Sequence, residues 1–157
     1  MDSRDASLIE AEVRHQLELI DKVRATIADR VARMAAVEAV VVEGAAFHVN
    51  NFYSAVEDLL RIVAAAFENN IDDVSRWHSE LIDRMTLDIP GVRPPFLSAG
   101  AAQLLHRLRS FRHFFRHAYR VELNPDEVLE NVARTSEVHP LLLADVERFL
   151  GQLRTVD

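Results

Sequence analysis

From about Ser7 to Met34 the apolar residues Leu8, Val13, Leu17, Ile20, Val23, Ile27 and Val31 recur every three to five positions with polar residues between them. That is the spacing of one face of an α-helix, whereas a half-buried strand would alternate at every second residue. The pattern predicts a long first helix. The stretch Ala35 to Val42 holds neither Gly nor Pro, and a break before the next helix is placed there. A second helix is predicted from about Glu43 to Phe67, because Phe47, Phe52, Val56, Leu59, Leu60, Val63 and Phe67 keep the period. ENNIDD follows, with Asn70 or Asp72 as cap of a short third helix carrying Trp77, Leu81 and Met85. LDIPGVRPP reads as a loop, since Pro90, Gly91, Pro94 and Pro95 all oppose helix, and Ser98 then caps a fourth helix running to about Val121. In NPDE, Asn124 is a capping side chain, Pro125 suits the first helical position and Glu127 stands three residues after the cap. A fifth helix starts there, and Pro140 is expected to kink or split it ahead of LLLADVERFLGQL. The expected fold is all-α, an up-and-down bundle of four to five helices with long first, second and fourth members.

Composition narrows this further. With 157 residues, 49% of them hydrophobic, the chain suits one domain spanning residues 1–157, and 4 Gly with 5 Pro leave little material for turn-rich β structure. The first residues, MDSRDASLIEAEVRHQ, are charged throughout and lack the apolar centre of a secretory signal. No apolar run approaches the roughly 20 residues that span a bilayer; the longest, Ala35 to Val42, is interrupted by Glu38. The chain has no cysteine, which removes disulfides, thiolate catalysis and cysteine zinc sites and fits a cytoplasmic protein. A net charge of -7 argues against general coating of nucleic acid, so any such role must be local.

One segment runs against that charge. HRLRSFRHFFRHAYR, residues 106–120, holds five arginines, three histidines and no acid. Wound at about 100° per residue, Leu104, Leu108, Phe111, Phe115 and Ala118 form an inward stripe, and His106, Arg109, Arg112, His113, Arg116, His117 and Arg120 lie off it. Three explanations compete for this face. It can be solvated and paired with acids of neighbouring helices, among them Glu57, Asp58, Asp126 and Glu130. It can bind a metal through His113 and His117 at i, i+4, although no third ligand is linked to them and the arginines repel a cation. It can bind phosphate, for which arginine offers a rigid fork of donors and histidine a proton that exchanges near neutrality. RNA needs no metal for cleavage by such groups, because its own 2′-hydroxyl attacks the adjacent phosphorus when a histidine moves protons and an arginine stabilises the phosphoryl oxygens. On one ideal helix Arg112 and His117 stand about 140° and roughly 7.5 Å apart. A tight site then calls for two such helices across a twofold axis, and hence a homodimer.

RHFFRHAY, residues 112–119, reads R-x-x-x-x-H-x-Y and resembles the signature of HepT-like proteins, the HEPN-domain ribonuclease toxins of prokaryotic toxin–antitoxin pairs. HVNNFYSAVEDLL, WHSELIDRM and IPGVRPP are similar to the longer HepT-like variants, so the resemblance spans about Glu43 to Val121. It implies an all-α HEPN bundle, a homodimer whose motif helices line a central cleft, and metal-independent RNA cleavage by Arg112 and His117, with no cofactor. In such a type VII-like pair the antitoxin is a small MNT-type nucleotidyltransferase that attaches AMP to the motif tyrosine, here Tyr119. The polar residue after the motif arginine is His113, and Arg109 and Arg116 are candidates for steering RNA. Read from the residues alone, Tyr119 lies near the inward stripe and suits packing, while His48 and Tyr53 receive no role and Trp77 and Phe96 are expected in the core. The other function consistent with the same residues is a non-catalytic HEPN-like subunit that binds a partner or substrate for the nucleotidyltransferase.

Overall fold

The computed structural model describes residues 3–32, 39–68, 74–117 and 122–154, with the side chains of residues 74–79 outside the description. Among the described residues five helices carry the fold: α1 (Ser3–Ala32), α2 (Ala39–Phe67), α3 (Val74–Met85), α4 (Ala99–Arg116) and α5 (Pro125–Arg154). The all-α bundle is therefore observed. Its long members are the first, second and fifth, of 30, 29 and 30 residues, while α4 has 18. α5, expected to be kinked or split, is thus as long as α1, and α4 is shorter than the predicted span to Val121.

α2 is the central element. It is the most apolar helix, buries Val49, Phe52, Val56, Leu59, Leu60 and Val63, and touches every other helix. Each such side chain contributes about 1.5–3 kcal/mol by leaving water. α1 lies antiparallel to α5, as the pairs Glu10 with Arg154, Arg14 with Glu147 at 2.8 Å, and Asp21 with His139 at 3.2 Å show by their opposite numbering. Phe149 of α5 meets Phe67 and Phe96 edge-to-face, with centroids 5.6 and 5.1 Å apart, and closes the core at that end; Phe96 is fully buried, as expected. Among the described residues no helix is long and apolar enough to cross a membrane.

The Pro-rich connection before α4 is a built structure. Ile89 and Arg93 form an isolated antiparallel bridge around Gly91, whose φ of 77° a side chain would oppose. Beyond it, the carbonyl of Met85 accepts from the backbone N–H groups of Phe96 and Leu97, both at 2.9 Å. Ser98 then caps α4 as predicted, its Oγ accepting from the Ala101 N–H at 3.3 Å. The Ser98 N–H and hydroxyl both donate to Asp145 Oδ2, at 2.8 and 2.9 Å, and Arg148 grips Asp145 Oδ1 at 2.6 Å. The start of α4 is thereby fixed to α5, which sets where the cationic segment emerges.

Several boundaries differ from the sequence reading. α2 begins at Ala39, before Glu43, because a run of Ala and Val without Gly or Pro gives a helix no reason to wait. α4 ends at Arg116, short of Val121: His117 leaves helical geometry at φ -112°, and its N–H bonds to Phe114 O at 3.0 Å in a tightened last turn. No Gly, Asn or Pro marks that point. α5 begins at Pro125, with Asn124 Oδ1 accepting from the Asp126 N–H at 3.0 Å, as the NPDE signature required. It runs unbroken through Pro140 and is not split. Pro140 forfeits one backbone bond, toward the carbonyl of Ser136, but Val138, Leu142, Val146 and Phe149 are buried on both sides of it and hold the helix together. The proposed caps Asn70 and Asp72, like the side chain of Trp77, lie outside the described residues.

Candidate functional site

The buried face of α4 consists of Leu105, Leu108 and Phe111, with Leu104 and Phe115 partly buried. This turns the intervening cations outward beside α2, where an open cleft of about 830 Å³ lies. Arg109, Arg112, His113 and Arg116 line it from α4, His117 from the residue that caps its end, and Tyr53 and Glu57 from α2. All the site residues expected from the sequence within the described region therefore share one cavity. Tyr119 and Arg120 lie outside the described residues.

Arg112 is held from below. Its Nη1 donates to Glu57 Oε2 at 3.0 Å, and its guanidinium carbon lies 5.4 Å from the centroid of the Tyr53 ring, in cation–π range. The other oxygen of Glu57 accepts from Arg61 Nη2 at 2.6 Å. Tyr53, Glu57 and Arg61 stand at successive i, i+4 positions of α2, so one face of that helix presents ring, carboxylate and second cation in a row. Burial, with the neighbouring Glu57 carboxylate, pushes the Tyr53 hydroxyl up to about 12, although Arg109, Arg112 and Arg61 pull the other way. Tyr53 is therefore a neutral phenol near pH 7 and offers its face without a competing negative charge.

His117 is set differently. Its Nδ1 lies 2.8 Å from the backbone carbonyl of His113. A carbonyl only accepts, so Nδ1 carries the proton, and in the neutral ring Nε2 is left as the basic nitrogen. The His113 and His117 rings are 4.7 Å apart between centroids, both on exposed residues. The departure of His117 from the helix also means that the ideal-helix separation from Arg112 does not describe this site. Among the described residues Arg109 and Arg116 make no ion pair, so the cleft carries more positive charge than Glu57 offsets.

Among the described residues, Glu57 is the one of the acids considered for this face that pairs with a cation of α4; Asp58 sits beside Arg61 and Glu130 beside Arg134, each on its own helix. His106 meets Asp83 of α3 at 2.6 Å and does not line the cleft. Tyr53, which received no role from the sequence, does line it. Its i, i+4 spacing to Glu57 was the available signal. His48 does not line it: its ring packs against Phe47 at 5.6 Å, and burial, with Arg30 nearby, holds its pKa below the usual histidine range.

The sequence model of a family described as HepT-like protein matches residues 44–153, which include all of α3, α4 and the cleft. The chain belongs to the HepT-like family. Searches of curated proteins and of solved structures gave no match. Membership places this HepT-like protein within the HEPN superfamily, where ribonuclease toxins occur.

Proposed function

We propose that this HepT-like protein is a metal-independent endoribonuclease, the toxin of a type VII-like toxin–antitoxin pair, acting in the cytoplasm as a homodimer. The observation that carries the reading is the cleft itself, where Arg112 and His117 open onto one cationic cavity and the tautomer of His117 leaves Nε2 basic. In the reaction the 2′-oxygen of RNA bonds to the adjacent phosphorus and the bond to the 5′-oxygen breaks. His117 Nε2 takes the proton from the 2′-hydroxyl or, when protonated, delivers one to the departing 5′-oxygen. Arg112 stabilises the charge that gathers on the phosphoryl oxygens, and no metal is required for that step. Arg109, Arg116 and His113 supply attraction for the RNA backbone around it. A second copy brings its own α4 across the twofold axis, and an MNT-type nucleotidyltransferase silences the enzyme by transferring AMP from ATP to the Tyr119 hydroxyl with release of pyrophosphate, which adds a negative charge to the cationic segment.

The engagement of Arg112 by Glu57 favours a second reading, a non-catalytic subunit that presents a partner or substrate to the nucleotidyltransferase, because a paired arginine is less available to phosphate. Purified protein incubated with total RNA in EDTA, wild type beside His117→Ala, separates the two. Cleavage by the wild type alone, leaving 2′,3′-cyclic phosphate ends, is the expected result. Cleavage that persists in both Arg112→Ala and His117→Ala would sink the enzyme reading, and an inert wild-type dimer would favour the second. Growth arrest on expressing this chain without its antitoxin is expected only from the enzyme.

A further inference from the structure

An acid in the floor of an anion site calls for a reason, since it subtracts from the charge that attracts phosphate. Glu57 is 7% exposed at its side chain and is shared, one oxygen to Arg61 and the other to Arg112. Arg112, 20% exposed, has Nη1 on Glu57 and its guanidinium over Tyr53, while its Nε is buried without a hydrogen-bond partner. Nη2 is the remaining nitrogen. Two directional contacts on different groups leave a planar guanidinium little freedom to rotate, whereas an arginine not so held samples many rotamers.

We infer that Glu57 is a positioning residue for Arg112: braced by Arg61, its carboxylate fixes the guanidinium against Tyr53 so that the free Nη2 edge is pre-set for a phosphoryl oxygen in the cleft. The inference rests on the nuclease reading and deepens it. Arg61 matters because it keeps Glu57 paired from the other side, so the carboxylate holds its place whether or not Arg112 shifts toward a ligand. Orienting the group holds it where the transition state needs it, and displacement of a catalytic group by about 1 Å can lower rate about 100-fold.

The test is a double-mutant cycle in the full chain with wild type, Glu57→Ala, Arg112→Ala and the double variant, each checked for helix content and melting temperature. Cleavage of an RNA oligonucleotide in EDTA gives kcat, and fluorescence anisotropy gives the affinity for its 2′-O-methyl analogue. Glu57→Ala is expected to lower kcat by about 100-fold while binding the analogue at least as tightly as wild type, because a negative charge has left the cleft. In the Arg112→Ala background it should lower kcat no further. Glu57→Gln, which keeps an oxygen acceptor, should recover part of the rate. A Glu57→Ala variant as fast as wild type or faster, or a loss that multiplies with that of Arg112→Ala, overturns the inference. Side-chain NMR reads the clamp without cleavage: Nη protons of Arg112 exchanging slowly in wild type and averaged in Glu57→Ala. A wild type with slow Nη signals that cleaves no RNA refutes the nuclease reading and leaves the clamp standing. Averaged signals in the wild type refute the clamp whatever happens to RNA.

Discussion

Two glutamates with side chains 7% exposed, Glu57 within α2 and Glu68 just past its end, are each gripped by two arginines, one exposed and one largely buried. At Glu68 the buried partner is Arg93, whose side chain is fully enclosed. Its Nε and Nη2 reach Glu68 Oε1 at 2.9 and 2.8 Å, Nη1 donates to the carbonyls of Leu87 and Pro94 at 3.1 and 3.3 Å, and Nη2 donates to that of Arg84 at 2.8 Å. Every nitrogen is engaged, and the loop before α4 is wrapped around this one cation. At Glu57 the partner is Arg112, with one hydrogen bond, an orphaned Nε and a cleft in front of it. The same kind of residue pair, at α2 and just past its end, thus gives two outcomes. A guanidinium with no donor left over holds structure together, and one with donors to spare can receive an anion.

Substitutions at the two arginines should part the two sites most sharply. Arg112→Ala is expected to lower RNA cleavage by about 1000-fold, the order seen when a group that stabilises transition-state charge is lost. Its melting temperature should stay close to that of wild type, because Arg61 still pairs Glu57. Arg93→Met should do the reverse. It takes the buried cation from Glu68 Oε1, leaving Arg84 alone on that carboxylate, and removes the Arg93 donor from the Leu87 and Pro94 carbonyls, which is expected to cost about 3 kcal/mol in a denaturant titration, with kcat per folded molecule unchanged. Equal effects of the two substitutions on stability would erase the distinction.

Smaller changes sharpen the contrast. Tyr53→Leu removes the ring beneath Arg112 while keeping an apolar side chain, and should reduce kcat by about fivefold, equivalent to about 1 kcal/mol of cation–π contact. Acidification tests the arginines by leaving them alone, since guanidinium groups stay charged throughout. The weak point is His139 between α1 and α5. Its Nε2 lies 3.2 Å from Asp21 Oδ1 without hydrogen-bond alignment, and burial, then Arg24, depress its pKa against the opposing pull of Asp21. A histidine depressed in the folded state takes up its proton more readily when unfolded, so its stabilising contribution is complete above its ordinary value of 6.5 and is lost as pH falls through the lower folded value. His139→Gln should therefore flatten the dependence of melting temperature on pH below that point, by roughly 2 °C. An unchanged slope would mean that another group sets it.

How much of this could be read beforehand depended on how local the cause was. The helices followed from period, the start of α4 from Ser98, the start of α5 from Asn124 and Pro125, and the turn from Gly91, each decided by residues within a few positions of one another. The cationic segment was equally visible, because charge sums along the chain without knowledge of the fold. Its end was not: Arg116 closes α4 with no breaker in the sequence, and Pro140 sits inside α5 despite being one. In the second case, packing of Val138 and Leu142 on the core outweighs one missing backbone bond.

The sequence by itself determined an all-α bundle of an identifiable family, with a basic fourth helix that carries Arg112 and leads into His117. Only the tertiary structure decided that Glu57 is the acid that meets Arg112, that Tyr53 lies beneath it, and that Glu68 secures Arg93 instead. The physical reason is one of range. Helical period is set by backbone geometry over a few residues, whereas the choice among several acids depends on the offset and rotation of one helix against another, which the whole core fixes together.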